Sequence, residues 1–151
     1  MLALKIYLDN CCFNRPFDDP SQIRIRLEAE AKLYLQHLVT EGRLELVWSY
    51  MLAYENRANP FEERRRVVET WKQRAVADQE ETPQVVALAR ELTATRGLRS
   101  KDSLHVACAV AAGCFWFVST DDALLRKLMG FAPITAVNPI GLVYTLEEDE
   151  Q

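Results

Sequence analysis

Apolar residues recur along the chain in two rhythms, and the alternation between them predicts an order of elements. Leu4-Lys5-Ile6-Tyr7-Leu8 and Leu44-Glu45-Leu46-Val47-Trp48 are short β-prone runs. Between them Ile23, Leu27, Ala31, Leu35 and Leu38 return every three or four positions, as on a helix, and Gly42 supplies its stop. Asn10 to Pro20 reads as a loop, because Pro16, Asp18, Asp19 and Pro20 break either rhythm. A helix is expected from Ser49 to just before Asn59. There Asn59-Pro60-Phe61-Glu62 offers a cap, a proline at the first helical position and a glutamate behind it, with Val67, Val68, Trp71 and Ala75 facing inward. Thr82-Pro83 opens another helix, with Val85, Leu88, Ala89 and Leu92 inward and Gly97 as terminator. Ser100 starts the next, which places Leu104, Ala107, Cys108 and Ala111 inward and ends at Gly113.

Phe115-Trp116-Phe117-Val118 is continuously apolar, the signature of a strand covered on both faces. A helix over Ala123 to Met129 follows, then a last core strand at Ile134-Thr135-Ala136-Val137 and a short edge at Leu142-Val143-Tyr144. Strands separated by helices predict a three-layer α/β/α sandwich around a mostly parallel sheet. No repeat or linker interrupts it, so a single domain over residues 1–145 is expected, followed by an acidic, frayed tail over 146–151.

Composition narrows the class. At 151 residues and 49% hydrophobic, the chain can bury a core without disulfides, which excludes a disordered or collagen-like protein. Neither a membrane span nor a signal peptide is readable, and a cytoplasmic location is expected. The net charge of −4 comes from the four acids at Glu147, Glu148, Asp149 and Glu150; without them acids and bases balance. A neutral body with pI ≈ 5.3 is no electrostatic coat for DNA. Cys11, Cys12, Cys108 and Cys114 lack zinc-ligand spacing and read as small buried hydrophobes.

The candidate chemistry lies in carboxylates. In an open parallel sheet, ligands bind beyond the carboxyl ends of the strands. Asp9 ends the first strand, Asp121 follows the Phe115–Val118 run, Asp102 opens the helix before that run, and Glu55 lies in the helix leaving the second strand. Singly, each has a plain structural use as a turn residue, helix cap or solvated surface group. Gathered at one edge they would repel one another, and an oxygen-only acidic cluster suits Mg²⁺ or Mn²⁺.

The sequence resembles the PIN-domain family, which includes VapC-like toxins of toxin–antitoxin pairs and consists of metal-dependent nucleases that mostly cut RNA. The matching segments are Ile6-Tyr7-Leu8-Asp9-Asn10, Ser49-Tyr50-Met51-Leu52-Ala53-Tyr54-Glu55, Lys101-Asp102-Ser103-Leu104-His105-Val106-Ala107 and Phe117-Val118-Ser119-Thr120-Asp121. The resemblance implies catalytic acids at Asp9, Glu55, Asp102 and Asp121, with Asp9, Asp102 and Asp121 as metal ligands for one or two ions. It implies supporting roles for Ser119 and for Asn10, which stands where many members have Thr or Ser. Asp122 reads as a helix-start residue, and His105 as a packed histidine rather than a general base. Arg15, Arg57, Arg99 and Lys101 flank the acids and are candidates for holding substrate phosphates.

The expected activity is therefore Mg²⁺- or Mn²⁺-dependent hydrolysis of RNA phosphodiester bonds, a role that fits the toxin of a toxin–antitoxin pair. The competing readings are a DNA-directed nuclease and a catalytically quiet PIN-like module that binds nucleic acid or protein. An aspartyl phosphotransferase fits poorly, since Asp9-Asn10-Cys11 has cysteine where such enzymes carry a second aspartate. Expected partners are an RNA substrate, a cognate antitoxin and a second copy of the chain, with no membrane. The Asn10–Pro20 loop and the helices from Pro60 to Thr95 are the expected contact surfaces, and Phe61 and Trp71 fit either such a surface or the core.

Overall fold

In the computed structural model, which describes residues 3–149, five parallel strands form the sheet β3-β2-β1-β4-β5. They are β1 (Leu4–Leu8), β2 (Leu44–Ser49), β3 (Ala77–Gln79), β4 (Trp116–Val118) and β5 (Thr135–Val137). The helices are α1 (Asn10–Asn14), α2 (Ile23–Thr40), α3 (Tyr50–Arg57), α4 (Glu62–Lys72), α5 (Pro83–Arg96), α6 (Ser100–Ala111), α7 (Asp122–Lys127) and α8 (Pro139–Asp149). The sandwich expected from the sequence is the one observed.

Strand order is what positions a site. The chain builds outward from β1 to β2 to β3, then returns to the other side of β1 for β4 and β5. Right-handed crossovers running in opposite directions put their helices on opposite faces. At the junction of β1 and β4 the connections leave in opposite directions, and a crevice opens beyond the carboxyl ends of those strands. Ile6 pairs with both Leu46 and Trp116, so β1 is flanked on both sides. Ile6, Tyr7, Leu8, Leu46, Val47, Phe117 and Val118 are fully buried. Gly97, with φ +69°, ends α5 in the left-handed conformation that glycine alone adopts without strain.

Several elements depart from the sequence pattern. The expected loop after β1 begins with helix α1, capped by the Asp9 side chain. At Asn59-Pro60 the Asn59 side chain accepts from the Phe61 amide, so these residues form a turn and α4 starts only at Glu62. Val68 alone of its expected inward residues is fully buried, whereas Val67 is exposed and α4 stops before Ala75. β3 was not expected at all: it is a three-residue edge strand. β5 also lies at an edge, with Thr135 exposed, rather than in the core.

No edge strand forms at Leu142-Val143-Tyr144; those residues belong to α8, which packs along α2. Helix α8 continues through Glu147 and Glu148 to Asp149, so the acidic segment is helical as far as it is described, across the boundary expected near 145. The rest of that segment, Glu150 and Gln151, lies outside the described residues. Cys12, Cys108 and Cys114 are buried as expected, whereas Cys11 is half-buried. Among the described residues, no helix is long and apolar enough to cross a membrane.

Candidate active site

Asp9 directly follows β1, and its amide donates to the Val118 carbonyl of β4 at 2.9 Å, so the end of one strand is tied to the next across the switch point. Asp9 is 7% exposed, and both of its carboxylate oxygens are engaged. Oδ1 accepts from the Asn10 amide at 2.8 Å, and Oδ2 accepts from Ser119 Oγ at 2.9 Å. Ser119 Oγ also accepts from the Asp121 amide at 3.1 Å, so one buried hydroxyl links the first and fourth acids. Asp121 Oδ1 accepts from the Leu124 amide at 3.2 Å and caps α7; the residue is otherwise exposed. Asp122 forms a two-pronged pair with Arg24 at 2.6 and 2.7 Å. Its carboxyl is thereby held below its usual range.

Asp102, in the first turn of α6, is half-buried and carries no hydrogen bond or ion pair among the described residues. Burial raises its pKa, and the neighbouring charges of Asp9 and Asp121 raise it further against weaker relief from His105 and Arg99. Three carboxylates therefore feel one another, and one of them has no counter-charge bonded to it.

Glu55 is differently placed. Oε1 lies 2.6 Å from His105 Nε2, and Oε2 accepts from Asn10 Nδ2 at 3.0 Å. Burial pushes its pKa up, but His105, Lys101 and Asn10 together bring it below the ordinary value. His105 is 1% exposed; burial lowers its pKa, while the bond to Glu55 and the charges of Asp9, Glu55 and Asp102 raise it overall. Its other nitrogen, Nδ1, lies 2.6 Å from the Tyr7 hydroxyl, which is 2.6 Å from Ser49 Oγ. Ser49 Oγ accepts from the Leu52 amide and so caps α3, the helix that carries Glu55. A buried chain Ser49–Tyr7–His105–Glu55 thus joins β1, β2, α3 and α6. With both ring nitrogens engaged, His105 acts as a brace.

The structure brings Asp9, Asp102 and Asp121 within electrostatic range and sets Glu55 beside them through Asn10. Arg99 and Lys101 are exposed and act electrostatically on Asp102 and Glu55, respectively, while Arg57 is exposed at the end of α3. Arg15 is not comparable. It bonds Thr120 Oγ1 at 2.8 Å and Asp18 at 3.0 Å, and its Nε lies 3.3 Å from the buried Glu28 carboxylate. Its charge is spent inside the fold rather than offered to phosphate. Sequence reasoning missed Tyr7 and Ser49 as polar partners and missed Cys11, whose thiol lies 3.6 Å from Asp9 Oδ2 and 3.4 Å from Ser119 Oγ. Tyr7 set between Ile6 and Leu8 was the available signal for the first.

The donors suit a hard divalent ion chemically: they are oxygens, they repel, and Asp102 has no other partner. Among the described residues no three His, Cys, Asp or Glu side chains stand at ligand spacing as they lie, so binding an ion requires these side chains to turn toward one another.

A parallel sheet with acids at its switch point defines an α/β protein with a carboxylate cleft, and comparison gives the family. The sequence model of the PIN domain matches residues 6–128, and the chain belongs to the PIN-domain family, whose members are in general nucleases. No curated protein matches the sequence. Among solved structures, the chain is similar to PAE2754 from Pyrobaculum aerophilum, with TM-score 0.57, 17% identity, and 98% and 94% of the two chains covered. It is also similar to VapBC2 from Rickettsia felis bound to a DNA fragment from their promoter, with TM-score 0.55, 14% identity, and 89% and 98% covered. At such identities the likeness is one of fold.

Proposed function

We propose that this chain is a divalent-metal-dependent endoribonuclease of the cytoplasm, with Asp9, Asp102 and Asp121 holding one or two Mg²⁺ or Mn²⁺ ions. The observation that carries the reading is Asp102: a half-buried carboxylate without a bonded partner, facing two other carboxylates at the switch point. A bound cation would supply an acidified water and a polarised phosphoryl oxygen. The chain's own residues do the rest. Ser119 fixes the Asp9 carboxylate through Oδ2, and Asn10 and His105 fix Glu55 by one hydrogen bond at each oxygen. Each Glu55 oxygen keeps a lone pair for a water, and its lowered pKa keeps it anionic, which suits orienting that water. Arg57, Arg99 and Lys101 would offset phosphate charge at the rim.

The preference for RNA rests on the family resemblance, as does a role as the toxin of a pair whose antitoxin covers the cleft. A VapBC complex among the structural neighbours supports the second point, and a homodimer is proposed on the same footing. The test is cleavage of mixed single-stranded RNA and DNA with Mg²⁺, Mn²⁺ or a chelator. RNA is expected to be cut with either cation, and not with chelator or by Asp9→Asn or Asp102→Asn protein. Cleavage that persists in chelator refutes the metal assignment. Inert wild-type protein refutes the nuclease, and faster cutting of DNA refutes the substrate.

A further inference from the structure

A groove of about 580 Å³ lies between α3, α5 and α6, with Tyr50, Tyr54, Arg57, Val86 and Lys101 in its walls. It adjoins the cleft, because Lys101 in its wall acts electrostatically on Glu55. A second hollow of about 370 Å³ shares Val86 and Leu104 with it and continues along α5 to Arg90. The walls are apolar and aromatic, and the cations are unspent. Among the described residues Arg57 and Arg90 make no hydrogen bond, ion pair or ring contact, and the Lys101 ammonium lies 5.7 Å from the Tyr54 ring and acts electrostatically on Glu55 without bonding it. Several arginines elsewhere are engaged, Arg15, Arg24 and Arg66 with carboxylates and Arg64, Arg65 and Arg96 with carbonyls, whereas Arg26, Arg99 and Arg126 make no side-chain hydrogen bond or ion pair among the described residues. Glu81 is the one acid lining the groove, so three cations there outweigh it on a chain whose net charge is −4. Tyr54 is 52% exposed, and the Lys101 ammonium stands over its ring.

We propose that this groove is the track along which a single-stranded nucleic acid enters the carboxylate cleft, an inference that rests on the nuclease reading. Tyr54 is the platform for one unpaired base, and Lys101, Arg57 and Arg90 take successive phosphates. The combination of an exposed aromatic face with loose cations suits an unpaired strand, since a base within a duplex has no free face to stack. Contact with Lys101, the cation that acts on Glu55, makes the Tyr54 ring a determinant of where the backbone is presented for cutting.

Binding is read apart from turnover by using Asp9→Asn as the parent and a fluorescent single-stranded RNA of about ten nucleotides, a length within the reach of such sites. Anisotropy is followed over a series of KCl concentrations. Tyr54→Ala is expected to bind roughly tenfold more weakly with an unchanged salt slope, and Tyr54→Phe to bind like the parent. Lys101→Ala is expected to reduce the slope of log K against log salt by about 0.7, the loss of one phosphate contact on a single strand. Arg26→Ala, on the exposed side of α2, is expected to change neither. Unaltered affinity in Tyr54→Ala overturns the track, even where wild-type protein cleaves RNA. A parent that binds no RNA overturns it as well, and wild-type failure to cleave with any cation separately overturns the nuclease reading. Sedimentation showing Tyr54→Ala at half the parent's mass, with RNA affinity retained, assigns the groove instead to contact between two copies.

Discussion

On one side of the cleft Glu55 has both oxygens engaged, by His105 and by Asn10, and its pKa is depressed; on the other Asp102 has no hydrogen bond or ion pair among the described residues and its pKa is raised. Both are half-buried carboxylates at the same sheet edge, and burial acts on both in the same direction. What separates them is the partner. Glu55 faces an imidazole braced by Tyr7 and Ser49, so its charge is stabilised by the fold itself. Asp102 faces Asp9 and Asp121, so its charge is opposed by the fold and awaits something from outside it. The braced side is structural machinery that holds a group in place. The opposed side is where binding free energy from a cation has somewhere to go.

The largest effect is expected from breaking the braced side. His105→Ala leaves a partly buried carboxylate without its counter-charge and opens a cavity beneath it. Unfolding by denaturant should show a loss of about 3 kcal/mol or more. Glu55→Gln combined with His105→Ala should lose less than the two single losses added, because the pair acts as a unit. A loss below about 1 kcal/mol would show that the pair is effectively solvated and would erase the contrast with Asp102.

The opposed side should respond to cations. Mn²⁺ binds the folded chain at Asp9, Asp102 and Asp121 on the proposed reading. Stability should then rise by about 2.7 kcal/mol at a hundredfold excess over the dissociation constant. Thermal melts of wild type and of the double variant Asp9→Asn/Asp102→Asn against Mn²⁺ check this. Equal shifts in both proteins place the ion elsewhere, with the acids of α8 as the nearest alternative, and remove the physical support for the site.

A pH titration sharpens the braced side further. The Glu55 pKa is lowered, so its contribution is present above the unfolded value of about 4.3 and is lost as pH falls through the folded value. The His105 pKa is raised, so its contribution is present below the unfolded value of about 6.5 and is lost as pH rises through the folded value. The stability difference between wild type and Glu55→Gln should therefore be widest between about pH 4.5 and 6.5 and shrink on either side. A difference that is flat across pH 4 to 9 would mean that the two groups are not charged together.

These contrasts explain what the sequence could and could not reveal. Asp9, Asp102 and Asp121 were legible because each sits at a strand end or helix start, and a parallel sheet brings such positions together. β4 was legible because it is covered on both faces. Three-residue edge strands leave little trace: Ala77-Asp78-Gln79 has neither alternation nor a β-branched residue, and pairing with β2 alone makes it a strand. Leu142-Val143-Tyr144 has strand-forming residues but packs on α2 as a helix, tertiary contact overriding local preference. The Glu55–His105 bond joins positions 50 apart in the chain, and nothing in a local pattern reports such a pairing. Arg15 looked as free as Arg57, because the carboxylate that consumes it, Glu28, is buried on the inner face of α2, 13 positions further along the chain.

The smallest expected effect is also the most diagnostic of the opposed side. In metal-free protein, Asp102→Asn removes a charge that Asp9 and Asp121 oppose, so it should raise stability slightly at neutral pH, by less than about 1 kcal/mol for a half-exposed group. The sign follows from the raised pKa. Folded wild type takes up its proton at higher pH than the unfolded chain, so its stability rises relative to the variant as pH falls through the folded pKa. Below the unfolded value near 3.9 both states are protonated and the advantage of Asp102→Asn should vanish. Melts of both proteins in chelator, from pH 7 down to about 4, test this. A variant that melts lower at pH 7 would mean that the Asp102 charge is favourable to the fold. Asp102 would then belong with Glu55 as a structural acid, and the division of the cleft into a braced half and a cation-seeking half would fail.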